Sequence, residues 1–273
     1  ALGIPLATAS RRISDLEAHL GARLLVRSNR RIGLTEAGEG YVAASRRILE
    51  DLAAAERAAA GEYARPMGEL VITAPIVFGR LHLLPLVGDF LRLYPEITVR
   101  LTLADRLLHL AEDHVDLALR IGMLPDSSLK ACRLGTIRRV VCASPAYLAG
   151  RGRPDHPGDL AGHDILAFSG LDGDRWGFDF GGQERLVQIA PRLTVNTAEA
   201  AIDAARAGLG LTRVLSYQIA EAERAGALVR VLEDHAPPAL PVHLVFSGQG
   251  ALPLKLRAFL DHATPRLRTV LAI

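Results

Sequence analysis

The chain has 273 residues, of which 49% are hydrophobic and 23% charged. That composition can fill a sizeable core and excludes intrinsic disorder for most of the chain, and the length predicts about two domains. Lys+Arg 32 against Asp+Glu 30 leaves a formal charge of +2, too near neutral for a polycation that coats nucleic acid, so any such role needs a local patch.

Only Lys130 and Lys255 are lysines. The arginine excess, in so alanine-rich a chain, reads as coding bias rather than as a recognition surface. No apolar run reaches the ~18 to 20 residues that span a bilayer. The amino terminus lacks a basic region followed by an apolar stretch and a cleavage site. Both features predict a cytoplasmic protein with no membrane partner. Cys132 and Cys142 are too few for a disulfide framework and lack metal-ligand spacing; Cys142, within Val140-Val141-Cys142-Ala143, reads as a buried strand thiol.

Ala1-Leu2-Gly3 reads as the last turn of a helix whose start is missing, so the sequence is expected to be an amino-terminally truncated fragment. Ile4-Pro5 then opens a helix from Leu6 to Leu20, closed by Gly21. Ala9, Ile13, Leu16 and Leu20 form one helical stripe, expected to be the buried face. Thr8, Arg11 and Asp15 fall opposite it, with Ser10 and Arg12 on the flanks. Leu24 to Arg27 and Ile32 to Leu34 read as two short strands around the turn-rich tip Ser28 to Arg31. Helix followed by basic hairpin is a winged helix-turn-helix pattern.

From Thr35, an N-cap type residue followed by Glu36, no proline occurs before Pro66. This predicts a helix of about 28 residues at ~1.5 Å rise each. Along it Tyr41, Ser45, Ile48, Leu52, Ala55 and Ala59 alternate four and three apart, the spacing of a coiled-coil seam. Beyond Pro66 strands and helices alternate: strand Leu70 to Thr73, helix Gly79 to Tyr94, strand Ile97 to Leu103, short helix Leu107 to Glu112, strand Val115 to Ile121. That order implies a parallel α/β arrangement. Arg138 to Ala143 is strand-like, and Trp176 to Phe180 with Arg185 to Ile189 reads as a β pair. Leu193 to Val195 leads into a helix over about 197–207, and another strand begins at Leu209-Gly210-Leu211. The chain closes with strand Val242 to Phe246 and a helix from Pro253 to about Leu271.

Ala9-Ser10-Arg11-Arg12-Ile13, Leu16-Glu17, Leu20-Gly21, Leu24-Leu25, Arg27 and Leu34-Thr35-Glu36-Ala37-Gly38 together resemble the DNA-binding region of LysR-type transcriptional regulators. Gly68-Glu69-Leu70 to Phe78-Gly79-Arg80, Asp116 to Gly122 and Ala143-Ser144-Pro145-Ala146-Tyr147-Leu148 are similar to the effector domain of one branch of that family. The resemblance covers essentially the whole chain. It implies a partial winged helix-turn-helix over 1–34, a linker and dimerisation helix over 35–65, and an effector domain over 66–273. That domain would be a two-lobed α/β fold like a type 2 periplasmic binding protein, with lobe 1 about 68–139 and 243–273 and lobe 2 about 140–242. Strand crossovers near Val140 and Val242 would hinge it. The implied partners are double-stranded DNA, a small-molecule effector and further copies of the chain, as homodimer or homotetramer, with no cofactor.

In the first 34 residues six arginines face only Asp15 and Glu17. A recognition helix puts its N-terminal side chains on base edges while flanking groups hold phosphates. Thr8 and Arg11 are therefore assigned to base readout, Ser10 and Arg12 to the groove flank or phosphate, and Arg30 with Arg31 to the wing. Tyr41, Ile48, Leu52 and Ala55 are assigned to dimerisation. Ligands of α/β lobes sit beyond the carboxyl ends of strands, which points to Thr73, Pro75, Val77, Arg120, Gly122, Asn196 and Thr197 for the effector. Asn196 and Thr197 equally fit helix caps, and Arg120 equally fits an internal ion pair.

Gly208-Leu209-Gly210 follows a helix and is a turn signal, not a dinucleotide fingerprint. The nine histidines show no metal spacing, and Ser169-Gly170 lacks the elbow of a hydrolase. No catalytic constellation is present, so an enzyme is not expected. The competing reading, a periplasmic solute-binding protein without DNA binding, has no use for the arginine-bearing helix and wing.

Overall fold

The fold is that of a computed structural model, which describes residues 5–27, 32–59, 65–105, 115–125, 128–169, 171, 173–248 and 252–272. The readings at residues 1–3, at the wing tip and over 107–112 lie outside these residues.

Helix α1 (Leu6–Leu20) stops where Gly21 adopts φ 64°, a left-handed value that glycine reaches without a Cβ clash. Strands β1 (Leu25–Arg27) and β2 (Ile32–Leu34) pair antiparallel, Leu25 opposite Leu34. Thr35 then joins the wing to α2 (Glu36–Ala59). Its hydroxyl donates to the Arg23 carbonyl at 2.6 Å and accepts the Gly38 N–H at 2.9 Å. One side chain thus caps α2 and ties it to the turn before β1. Glu17 does the same from α1, its Oε1 accepting the N–H groups of Leu24 and Leu25 at 2.8 and 3.0 Å. The apolar stripe of α1 is less covered than its pattern predicts: Ala9, Ile13 and Leu16 are half-buried, Leu20 is 40% exposed, and no residue of the helix is fully buried.

Two five-stranded sheets follow. The first holds β3 (Gly68–Ala74), β4 (Ile97–Leu103), β5 (Leu117–Ile121), β6 (Leu129–Ile137) and β14 (Leu240–Ser247), in the order β4-β3-β5-β14-β6. The second holds β7 (Arg139–Ala143), β8 (Ile165–Phe168), β11 (Pro191–Val195), β12 (Leu211–Leu215) and β13 (Val229–Val231), in the order β11-β8-β12-β7-β13. A separate hairpin pairs β9 (Arg175–Asp179) with β10 (Glu184–Gln188).

The parallel α/β arrangement expected from the element order is found in both sheets, each with antiparallel strands added. Strands β3, β4 and β5 are parallel, as are β8, β11 and β12, but β14 runs antiparallel to β5 and β6, and β7 antiparallel to β12 and β13. The reason is connectivity. The chain leaves the first sheet at Ile137, enters the second at Arg139, and returns after Val231 to Leu240, so the returning strands must reverse.

Helical segments α3 (Ile76–Phe78) and α4 (Leu84–Leu93) flank a π turn at Gly79–Leu83. The helix expected from Gly79 therefore starts three residues earlier. Helices α4 and α8 (Leu254–Leu271) cover one face of the first sheet, where Leu70, Ile72, Phe90, Leu117, Leu244 and Phe259 are fully buried. In the second lobe α5 (Pro145–Arg151) and the hairpin lie on one face, with Trp176 and Phe178 against Val141 and Leu211. Helices α6 (Ala198–Arg206) and α7 (Ser216–Arg224) cover the other, with Ile202 and Ile219 against Cys142 and Val214. Burial pushes the Cys142 thiol up to about 12.

The close approach at Gly38 yields a prediction. A Cβ there would lie 2.0 Å from the Leu24 carbonyl oxygen, whereas one at Gly33 would meet nothing within 4 Å. Gly38→Ala should cost about 1 to 3 kcal/mol through overpacking against backbone. Gly33→Ala, read in the same thermal melts, should change little.

Candidate functional site

On α1 the residues assigned to DNA differ in exposure. Arg11 and Arg12 are exposed, Thr8 and Ser10 half-buried. Among the described residues neither arginine is held in a hydrogen bond or ion pair, which leaves both guanidinium groups available for phosphate or base edges. Arg30 and Arg31 lie outside the described residues. On α2 the seam positions Tyr41, Ile48 and Leu52 are 37%, 66% and 53% exposed. The side chain of Ala55 is outside the described set.

The second site follows from strand direction. In the first lobe β3, β4 and β5 end together, with Thr73 opposite both Thr102 and Ala118. In the second, β8, β11 and β12 end together, and Leu215 at the end of β12 pairs with Arg139, the first residue of β7. Both lobes therefore turn the carboxyl edges of their parallel strands toward the crossovers, and these edges face each other. Contacts cross between them. Val77, only 3% exposed, packs on Phe168, Ala198 and Ala201. The Phe78 and His82 rings meet Tyr217 edge-on at 5.3 and 5.8 Å, and Arg80 reaches Glu199 at 3.4 Å.

The structure thus brings Thr73, Pro75 and Val77 to the interlobe edge. Thr73 is fully buried, and its Oγ1 has no hydrogen-bond partner among the described residues. Pro75 precedes Ile76, whose N–H is taken by Asp105 Oδ1 at 3.1 Å. Gly122 adopts φ 118°, and its N–H donates to the Pro241 carbonyl at 2.8 Å. Thr197 caps α6, accepting the Ala200 N–H at 3.3 Å, and Asn196 beside it is exposed. Arg120 is half-buried on β5, opposite His243 of β14.

Sequence reasoning missed Asp105, Glu199, His82 and Tyr217. Asp105 lies two residues past β4 and Tyr217 two past β12, so the strand-end rule that found Asn196 reaches both once those strands are placed. Burial raises the Asp105 carboxyl, opposed by the Ile76 N–H and reinforced by Glu199. Burial, then the charge of Asp105, raises the Tyr217 phenol. The cleft floor is therefore a dry place in which an unmet polar group is costly. No group of three or more His, Cys, Asp or Glu among the described residues is placed to hold a metal ion.

Comparison with known proteins agrees with this geometry. Residues 1–39 match the bacterial regulatory helix-turn-helix protein, lysR family, and residues 64–268 match the LysR substrate binding domain. The chain belongs to the LysR family of transcription regulators. A transcriptional regulator of Xanthomonas campestris is 38% identical over 271 residues, 97% of this chain and 79% of its own length. A transcriptional repressor of Pseudomonas aeruginosa is 36% identical over 264 residues, 96% of this chain and 83% of its own. Among solved structures, the LysR-type regulator CrgA of Neisseria meningitidis superposes with TM-score 0.67 at 32% identity, covering 97% of this chain and 91% of its own. The Vibrio cholerae virulence activator AphB gives 0.67 at 29%, covering 96% and 90%. Like its relatives, this LysR protein is a non-enzymatic DNA-binding regulator with an effector-binding α/β domain. No helix among its described residues is long and apolar enough to cross a membrane.

His82 sets a pH dependence for the interlobe packing. Burial holds its imidazole below the usual 6.5, so the unfolded chain takes up the proton first as pH falls. Stability present above pH 6.5 is then lost between 6.5 and the lower folded value. His163, His243 and His262 shift the same way, burial leading in each. Melting temperature should fall from about pH 7.5 to about pH 5.5, and His82→Phe, which keeps a ring against Phe78 and Tyr217, should shrink the fall. An identical fall in that variant would exclude His82 as a contributor.

Proposed function

We propose that this regulator reads duplex DNA through Thr8 and Arg11, with Ser10, Arg12, Arg30 and Arg31 on flank and phosphate, and answers to a small anionic or carbonyl-bearing effector held near Thr73, Arg120 and Asn196. Pro75, Val77, Gly122 and Thr197 complete the walls of that site. The division into 1–34, 35–65 and 66–273 belongs to the same reading. So do a cytoplasmic location and assembly as homodimer or homotetramer, with the exposed Tyr41, Ile48 and Leu52, and Ala55 beyond them, as the pairing seam of α2.

The observation that carries the effector reading is the Thr73 hydroxyl, buried at the strand end where the lobes meet and without a hydrogen-bond partner among the described residues. A buried hydroxyl left unmet costs about 1 to 3 kcal/mol. A bound carbonyl or carboxylate removes that cost, so the site favours the occupied state. Exposed Arg11 and Arg12 support the DNA reading by the same logic of available donors.

Thr73→Val tests the effector site with two readouts of opposite sign. Without effector the variant should melt higher than the wild type, because the unmet hydroxyl is gone. In a metabolite thermal-shift screen, a compound that stabilises the wild type should stabilise the variant less. Undiminished stabilisation of Thr73→Val by a confirmed effector would remove Thr73 from the site. For DNA, Arg11→Ala should cost about 1 to 3 kcal/mol and relax discrimination at one base position, read by duplex titration at fixed salt. A uniform loss across sequences would move Arg11 from base to phosphate.

A further inference from the structure

The Thr73 hydroxyl is not the one unmet polar atom on its side of the first sheet. Nδ1 of His243, on β14, is also buried and also without a hydrogen-bond partner among the described residues. Register shows that the two share a face. Thr73 stands opposite Ala118, and Ala118 opposite Val245; two residues along, Arg120 stands opposite His243, and His243 opposite Arg133. Side chains alternate along a strand, and burial agrees. Val71, Ala118 and Val245 pack together on this face, whereas Leu119, Val242 and Leu244 pack on the other with Phe90 and Phe259.

Thr73, Arg120, His243 and Arg133 therefore form a strip across β3, β5, β14 and β6, which are neighbours in that order. Exposure rises along it. Thr73 is fully buried, Arg120 and His243 are half-buried, and Arg133, on the edge strand β6, is exposed. A charged ligand group is costly to bury and a neutral one far less so, so the Thr73 end suits a neutral oxygen and the Arg133 end an anion. The available charge has the same arrangement. Arg120 is already engaged within the protein, whereas the Arg133 guanidinium is in no hydrogen bond or ion pair among the described residues. Burial, and then the charge of Arg133, hold the His243 imidazole below the usual 6.5. The ring is thus uncharged at neutral pH, and with its proton on Nδ1 it donates. A carboxylate can accept from Nδ1 and from Arg133 together. Strand spacing sets the Cα atoms of Thr73 and His243 roughly 12 Å apart, too far for one small group to meet both ends.

We propose that the effector site extends from Thr73 along this strip to His243 and Arg133, and that it takes an elongated acid. The carboxylate lies between His243 and Arg133, and a hydroxyl or carbonyl oxygen about six to eight carbons away meets Thr73. This rests on the reading of Thr73 as an effector contact and gives that effector a length and two distinct ends. His243 and Arg133 then determine specificity, selecting an acid over its ester and a long acid over a short one.

The test is calorimetric titration of the full chain at about pH 7.5 with ω-hydroxyhexanoate and ω-hydroxyoctanoate. Two companion probes lack one end each: the parent alkanoate has no hydroxyl, and the methyl ester of the hydroxy acid has no charge. One saturable site is expected for at least one hydroxy acid, with binding about tenfold weaker for either companion. Thr73→Val should weaken the hydroxy acid about tenfold and leave the alkanoate unchanged. Arg133→Gln and His243→Phe should weaken the hydroxy acid by about the same factor and leave the ester unchanged. A variant that acts only through structure lowers every probe alike, so equal loss of acid and ester in Arg133→Gln overturns the proposal. Failure of both hydroxy acids to saturate overturns it too, and leaves Thr73 to the metabolite screen. Binding diminished in Thr73→Val but undiminished in Arg133→Gln and His243→Phe overturns the extension and keeps Thr73 as an effector contact. The converse, loss in Arg133→Gln with none in Thr73→Val, overturns both.

Discussion

The one-residue outgoing connection between the lobes, with the return that runs from Val231 to Leu240, constrains nearly everything else in the effector domain. Only Arg138 separates β6 from β7, and its carbonyl accepts the N–H of Ser216, the first residue of α7, at 2.9 Å. With so little slack, the carboxyl edges of the parallel strands in both lobes are forced to face one another. The reversed strands β7 and β14 follow from the same geometry, since each must carry the chain back across its own sheet. The cleft is thus a product of chain tracing, and Asp105 and Tyr217, each two residues past a parallel strand, stand at it.

What holds the cleft in its observed arrangement is mostly apolar. Val77 against Phe168, Ala198 and Ala201, and Phe78 with His82 against Tyr217, are desolvated contacts. The Arg80 and Glu199 pair is 54% and 37% exposed, and an ion pair so placed contributes about 1 kcal/mol or less. A modest polar interaction inside the cleft can therefore compete with the forces that set the lobe angle, whereas the rim charges cannot. Thr73 stands where such an interaction would be felt, which is the differential contact that a ligand needs in order to shift a conformational equilibrium.

The DNA-reading end was the most legible in sequence, because its constraints are local. Thr35 and Gly38 are three apart, and their roles as cap and as close-approach residue against Leu24 follow from that spacing. The core strands β3, β4 and β14 were legible from apolar runs. Strand β6 was not: Leu129–Ile137 carries Lys130, Arg133 and Gly135 on an edge where only Leu134 and Ile137 are fully buried. Strand β8 is four buried residues after a turn-rich stretch, too short to show a period, and α7 and β13 went unread behind β12. Arg213 is hidden for a different reason. It stands in a strand whose every residue is buried, and no pattern announces that a guanidinium will be accommodated there by two aromatic rings and a carbonyl from a hairpin 36 residues away in sequence.

Helix α2 limits how a signal can leave the effector domain. Its 24 residues extend about 36 Å at ~1.5 Å each, and Ile48, Leu49 and Leu52 on it are more than half exposed. A chain of packed side chains running from cleft to recognition helix within one copy would need contacts along this length, and exposed apolar residues are not such contacts. The same residues supply a surface that a second copy can cover. Under the proposed pairing of two copies along α2, information would travel as rigid-body placement: a lobe angle set in one domain would alter where the carboxyl end of α2 is held, and the helix would convert that into spacing between paired recognition helices. Spacing is a quantity that duplex DNA reads directly, because half-sites repeat with the helical turn. A regulator built in this way needs no side-chain relay, only two lobes with more than one stable angle and a stiff helix between them and the DNA.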